Sequence, residues 1–196
     1  MQLKLISIIL LMIISACLGG AGMHYYIKPN KDINKEIQTT DREGGPVGVK
    51  VRFSPKGGCT EAIVYAINNA TKSILVQAYS FTSDAIETAL IDAHRRGVDV
   101  HVILDRSQYE MKGTATDNLF TAGVDVKMDK KHAIAHNKVM VIDGFSVITG
   151  SFNFTRQAEI SNAENLLILN SSNLAALYTD NWNVHYAHSE PYVRPK

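Results

Sequence analysis

The chain has 196 residues, 45% of them hydrophobic and 20% charged, which supports one packed domain and excludes global disorder. Lys and Arg number 20 against 19 Asp and Glu, a formal charge of +1, so no global field recruits nucleic acid or lipid and any anionic ligand must meet a local cluster. Two cysteines, Cys17 and Cys59, exclude a disulfide-rich scaffold.

Residues 1–23 read as an address segment. Lys4 supplies a positive start, and Leu5 to Met23 carry no charge. Three outcomes fit this segment: a signal peptide cleaved near Ala16 or Ala21, a retained single membrane anchor, or a lipoprotein in which Cys17 of Ile14-Ser15-Ala16-Cys17 is lipidated. Each takes the protein out of the cytoplasm, to a periplasmic, secreted or membrane-attached location. Without this segment, basic and acidic residues are equal in number, and Cys59 reads as a small apolar side chain near a helix start. Residues 24–46 are polar, lack periodicity and close on Gly44-Gly45-Pro46, the pattern of a linker.

From residue 47 the pattern becomes regular. Val49, Val51 and Phe53 share one face of a strand. Thr60 is placed to cap a helix with Ile63, Ala66 and Ile67 inward, Ser73 to Ala78 form a strand, and Ser83 opens a second helix with Ile86, Ala89, Leu90 and Ala93 inward. That helix closes on Arg95, Arg96 and Gly97, and Val98 to Leu104 make a third strand. A short helix over 116–122 and a strand over 124–128 follow. Strands over 139–142 and 146–149 flank Asp143-Gly144, a strong hairpin signal. A strand over 164–169 and a helix from Asn173 with Leu174, Leu177, Tyr178 and Trp182 inward complete the chain. Alternating strands and helices imply an α/β sandwich with a mixed, largely parallel sheet over 47–196.

The chemistry concentrates after His132. On a strand beginning near His136, His136 and Lys138 project from the same face, setting an imidazole that can act as nucleophile or proton carrier beside an ammonium that attracts an oxyanion. Gly150 lets backbone approach a ligand, and Ser151 and Asn153 add a hydroxyl and an amide. Such a set suits a phosphodiester. His132 and His136 stand four apart, but the Val-Met-Val-Ile run beside them reads as a strand, so they are not taken as a metal pair. Lys127, Lys130, Lys131 and His132 form a basic approach to the site, suited to a polyanion backbone. The loop holding Arg106, Tyr109 and Lys112 follows a strand end, where α/β ligands bind, while Trp182, His185 and His188 read as core and surface.

His136, Lys138, Asp143, Gly150, Ser151 and Asn153 spell H-x-K-x4-D-x6-G-S-x-N, which resembles the signature of the phospholipase D superfamily. A single-motif chain of this size behind an export segment is similar to that superfamily's small bacterial endonucleases. The resemblance implies a homodimer that joins two motifs and hydrolyses DNA or RNA without a metal or other cofactor. It implies that one His136 attacks phosphorus to form a phosphohistidine while the other protonates the leaving oxygen. Lys138, Ser151 and Asn153 would hold the non-bridging oxygens. Glu164 would accept the distal His136 proton and fix its tautomer. Asp143 reads as structural, through an Asx-type bond at the hairpin, and Gly150 as part of the motif's framework. The same chemistry also serves a phospholipase D acting on phosphatidyl or cardiolipin substrates.

Overall fold

The structure is a computed structural model that describes residues 36–40, 46–109 and 111–195. The 1–23 segment, with Cys17, lies outside the described residues, as does most of 24–46. Within that stretch, however, residues 36–40 form an edge strand, β1 (Glu36–Thr40), antiparallel to β2 (Pro46–Ser54), so the linker reading does not extend over them.

The remaining elements are α1 (Cys59–Asn68), β3 (Ser73–Ala78), α2 (Asp84–Arg95), β4 (Asp99–Asp105), a 3₁₀ turn (Arg106–Gln108), α3 (Thr116–Thr121), β5 (Asp125–Asp129), β6 (Lys138–Ile142), β7 (Ser146–Gly150), α4 (Arg156–Ile160), β8 (Glu164–Asn170), α5 (Ser172–His188) and β9 (Glu190–Pro191). The strands form one sheet in the order β1-β2-β8-β7-β6-β3-β4-β5-β9. Side chains from α1 to α4 pack on one face, around Ile63, Leu90, Leu119 and Ala158. On the other face, α5 covers Val139, Val141 and Val147 through Ala175 and Tyr178. The α/β sandwich is therefore as expected.

The sheet is mixed but not largely parallel. Among the described strands, only β3–β4 and β4–β5 pair in parallel. The β6-β7-β8 meander is antiparallel throughout and inserts between β2 and β3, which run in the same direction but never touch. Local alternation of helix and strand specifies direction but not neighbourhood, which explains the difference.

Helix starts also differ from expectation. Gly58, in a left-handed conformation, occupies the N-cap of α1, and the cap is supplied from a distance: Glu159 of α4 accepts from Gly58 N at 3.0 Å and Thr60 N at 2.8 Å. Ser83 holds the N-cap of α2 without a side-chain bond, whereas Gly97 follows α2 with φ 90°, as its C-terminal reading requires. Cys59 opens α1 fully buried, and burial, with Glu159 nearby, pushes its thiol up to about 11, consistent with an inert packing role. The inward stripe of α5 runs through Ala175, Tyr178 and Trp182. Leu177 is 66% exposed, because its position is displaced by about 100° per residue from that stripe. Trp182 donates its indole N–H to Val76 O at 2.9 Å.

The hairpin between β6 and β7 has positive φ at both Asp143 (56°) and Gly144 (63°), the geometry that matches strand twist in a two-residue turn. Asp143 is structural, but not through a local Asx bond. Its carboxylate accepts from Thr71 N (2.9 Å), Thr71 Oγ1 (3.0 Å), Lys72 N (2.8 Å) and Ser73 N (3.0 Å), tying the hairpin to the start of β3. Burial alone would raise its pKa, but these donors outweigh it and hold the carboxyl below its ordinary value. The stability it adds is therefore present above the unfolded-chain carboxylate pKa and lost as pH falls through the depressed folded value. Asp143→Ala leaves three backbone donors unpaired and is expected to cost about 2–4 kcal/mol. A thermal melt at neutral pH checks this, with a drop in Tm of roughly 5–10 °C expected.

Candidate active site

The C-terminal ends of β3 and β7 and the N-terminal ends of β6 and β8 fall on one edge of the sheet, because the strand pairs β3–β6, β6–β7 and β7–β8 are antiparallel. A concavity of about 380 Å³ opens there, lined by His136, Lys138, Gly150, Ser151, Asn153 and Glu164. All six belong to the set read from the sequence. A larger concavity of about 780 Å³ lies between the α1 side of β2 and the β6–β7 hairpin, includes Lys50, Arg52, Tyr65 and Phe145, and shares no residue with it.

His136 precedes β6 rather than lying on it, and its loop is pinned from below. Asp105, buried at the end of β4, accepts from Ala135 N at 2.7 Å, and Asn137 O accepts from Tyr79 N at 2.9 Å. The side-by-side placement holds nonetheless. Lys138 Nζ lies 3.1 Å from both ring nitrogens of His136 and donates to His136 O at 2.8 Å. The ring of Tyr79, just past β3, packs against His136 with centroids 4.6 Å apart, and Lys138 Nζ sits 5.2 Å from that ring. Tyr79 was not among the sequence candidates. The available signal was its place at the C-terminal end of an apolar strand, where α/β sites gather.

Lys138 is only 6% exposed. Burial lowers its pKa below the ordinary lysine value, opposed by attraction to Glu164. An ammonium held at this cost favours an incoming oxyanion, which would replace the lost hydration. Asn153 points the same way: its Oδ1 is buried with no partner among the described residues. Turning the amide over presents its NH₂ at the same point, where a phosphate oxygen can accept.

Two expected roles change in the structure. Glu164 Oε1 accepts from Asn162 Nδ2 at 3.1 Å, and no hydrogen bond joins Glu164 to His136 among the described residues, so the expected orienting contact is not made within one chain. Gly150, with φ 140°, serves an approach of backbone to backbone: a Cβ there would lie 2.3 Å from Asn165 O. Asn165 O instead accepts from Ser151 N (3.1 Å) and Phe152 N (3.2 Å), and Ser151 Oγ accepts from Asn165 N at 3.1 Å. Asn162 and Asn165 thus position Glu164 and Ser151, roles that no local pattern announces.

The basic approach is largely committed elsewhere. Lys127 caps Tyr186, 3.6 Å above its ring, and donates to Tyr186 O. Lys130 pairs with Glu190 at 2.6 Å, and His132 bonds Asp129 at 2.9 Å. Lys131 remains exposed. Tyr109 packs on Tyr192 with centroids 5.6 Å apart, and neither it nor Arg106 or Lys112 lines the His136 concavity.

An imidazole beside a buried ammonium, at the edge of an α/β sandwich and flanked by hydroxyl, amide and carboxylate groups, has the chemistry that phosphoryl transfer needs. The family model described as "Cardiolipin synthase, PLD-like domain" matches residues 63–185. Phospholipase D of Rickettsia conorii is 47% identical over 134 residues, 68% of this chain and 67% of that protein. The mitochondrial cardiolipin hydrolase of Chlamydomonas reinhardtii is 35% identical over 112 residues, which span only 50% of its length. Among solved structures, the phospholipase D family member Nuc from Salmonella typhimurium matches with a TM-score of 0.73 at 34% identity, covering 76% of this chain and 99% of Nuc. The chain belongs to the phospholipase D superfamily and is a phosphodiester hydrolase.

Proposed function

We propose that this hydrolase is an exported endonuclease that cuts DNA or RNA through a phosphohistidine, in a homodimer and with no metal at the phosphate. The observation that carries the reading is the lining of the site. All six residues are polar or glycine: one imidazole, one ammonium, one carboxylate, a hydroxyl and an amide around Gly150, with no Leu, Ile, Val, Met or Phe side chain among them to seat an acyl chain. One imidazole cannot both hold phosphorus and protonate the departing oxygen. His136 attacks phosphorus, and His136 of the partner subunit donates a proton as the P–O bond breaks, then takes one from the water that hydrolyses the P–N bond. Lys138 and Asn153, with Ser151, bind the non-bridging oxygens as charge develops. Export rests on Lys4 and the uncharged run from Leu5 to Met23.

The names of the Rickettsia and Chlamydomonas relatives favour a second reading, a lipid phosphodiesterase acting on phosphatidyl or cardiolipin substrates. The test sets plasmid DNA and RNA against vesicles of cardiolipin and of phosphatidylcholine, using the full chain without added Mg²⁺. Nucleic-acid cleavage well above headgroup release is expected, and the reverse order moves the assignment to lipid.

The pH profile adds a check on Lys138. Its ammonium must be charged to hold an oxyanion, so kcat/KM falls as pH rises through its depressed folded pKa. Glu164→Gln removes the attraction that opposes that depression, and the alkaline limb is expected to move to lower pH. An unmoved limb would show that Lys138 does not set it.

A further inference from the structure

β5 ends on Asp129, whose side chain is fully buried. Its Oδ1 accepts from the backbone N–H groups of Lys131 (3.1 Å) and His132 (3.3 Å). Its Oδ2 faces three imidazoles: His132 Nδ1 at 2.9 Å, His185 Nδ1 at 3.0 Å and His188 Nε2 at 3.3 Å. The three rings surround that oxygen with centroids 4.8, 5.1 and 5.3 Å apart, and the four ligand-type atoms all lie within 4.8 Å of one another.

Hydrogen bonding alone accounts poorly for this convergence. A carboxylate oxygen offers two lone pairs, and three ring nitrogens compete for them. A cation in their midst resolves the crowding, because all four atoms then turn lone pairs inward. In a tetrahedral site with metal–ligand bonds near 2.0–2.1 Å, ligand atoms stand about 3.3 Å apart. The three observed separations from Oδ2 are that distance or slightly shorter, while the set as a whole spans up to 4.8 Å, so the carboxylate oxygen moves back and the rings draw together around the ion.

We propose that Asp129, His132, His185 and His188 bind a divalent transition-metal ion, with Zn²⁺ the best match to a four-coordinate set of three imidazoles and one carboxylate. Four protein ligands close the coordination sphere, so the ion is structural. None of them lines the His136 concavity. The ion fastens three pieces of chain: the end of β5, the last turn of α5, where His185 and His188 share a face, and the loop from Asp129 to Lys138 that presents His136. His132, with 43% of its side chain exposed, is the ligand nearest solvent and gives the ion a way in.

The test uses the untagged full chain in detergent, exchanged with Zn²⁺ or Co²⁺ and then freed of unbound metal. About one Zn²⁺ per chain is expected by mass spectrometry, together with an upward shift in Tm of roughly 5 °C. The Co²⁺ form should show the intense visible bands of a four-coordinate ion. His185→Gln/His188→Gln should lose both the stoichiometric metal and the Tm shift. Retention of stoichiometric Zn²⁺ by that variant overturns the site. So does a wild-type chain whose Co²⁺ form lacks four-coordinate bands, a result independent of whether the variant folds, and it leaves an imidazole–carboxylate cluster in the ion's place. Metal binding by His136→Ala is expected to equal wild type, so this outcome stands apart from the fate of the phosphohistidine reading.

Discussion

His136→Ala is expected to lower phosphodiester hydrolysis by about 10⁴-fold or more, because in the proposed mechanism it removes both the nucleophile and the acid. The fold should not register the change. His136 is exposed and sits outside the sheet, so the loss falls in the range of surface substitutions, about 0.5 kcal/mol, and Tm should move by no more than about 2 °C. The same variant tests the dimer. If each reaction needs two imidazoles, mixed dimers are inactive, and wild-type activity after subunit exchange falls as the square of the wild-type fraction, to about a quarter in an equal mixture. A linear fall, to about half, would show that one chain suffices. Residual activity near wild type in the pure variant would remove His136 from the chemistry altogether.

What could be read in advance was whatever the chain writes locally. His136 and Lys138 meet because two residues apart means the same side, even though His136 precedes the strand. Asp143-Gly144 turns where a dipeptide tolerant of positive φ must turn. What could not be read is written between distant residues. Glu159 caps a helix about a hundred positions earlier, Asp143 spends its carboxylate on residues 71–73, and Asn162 takes the Glu164 oxygen expected to face His136. The largely parallel sheet failed for the same reason, since the place of the β6-β7-β8 meander between β2 and β3 depends on long-range pairing. Asp129 with His132 and His185 with His188 are each three apart, but 53 positions separate the two pairs, and only the return of α5 along the sheet gathers them.

Gly150→Ala is expected to be the most damaging single methyl group in the site. A Cβ at this position would stand 2.3 Å from Asn165 O, a backbone atom, and 2.9 Å from Asn165 Oδ1, whose amide is tied to Ser151 Oγ through Nδ2 at 3.3 Å, and φ 140° is a conformation that a side chain resists even in open space. Neither neighbour can yield cheaply. Asn165 O is the shared acceptor for Ser151 N and Phe152 N, and Asn165 N is held by Ser151 Oγ. Backbone strain and overpacking together should cost about 3–5 kcal/mol, a fall in Tm of roughly 10 °C. The relaxation that relieves the clash must part Ser151 from Asn165 and shift Glu164 beside it. Two residues of the phosphate site then move together, and a displacement of about 1 Å is enough to lower turnover about 10²-fold. Assays well below the variant's Tm separate this loss from unfolding. A Gly150→Ala protein that melts with wild type and turns over at its rate would mean that β7 and β8 do not approach as closely as Asn165 O and Gly150 require.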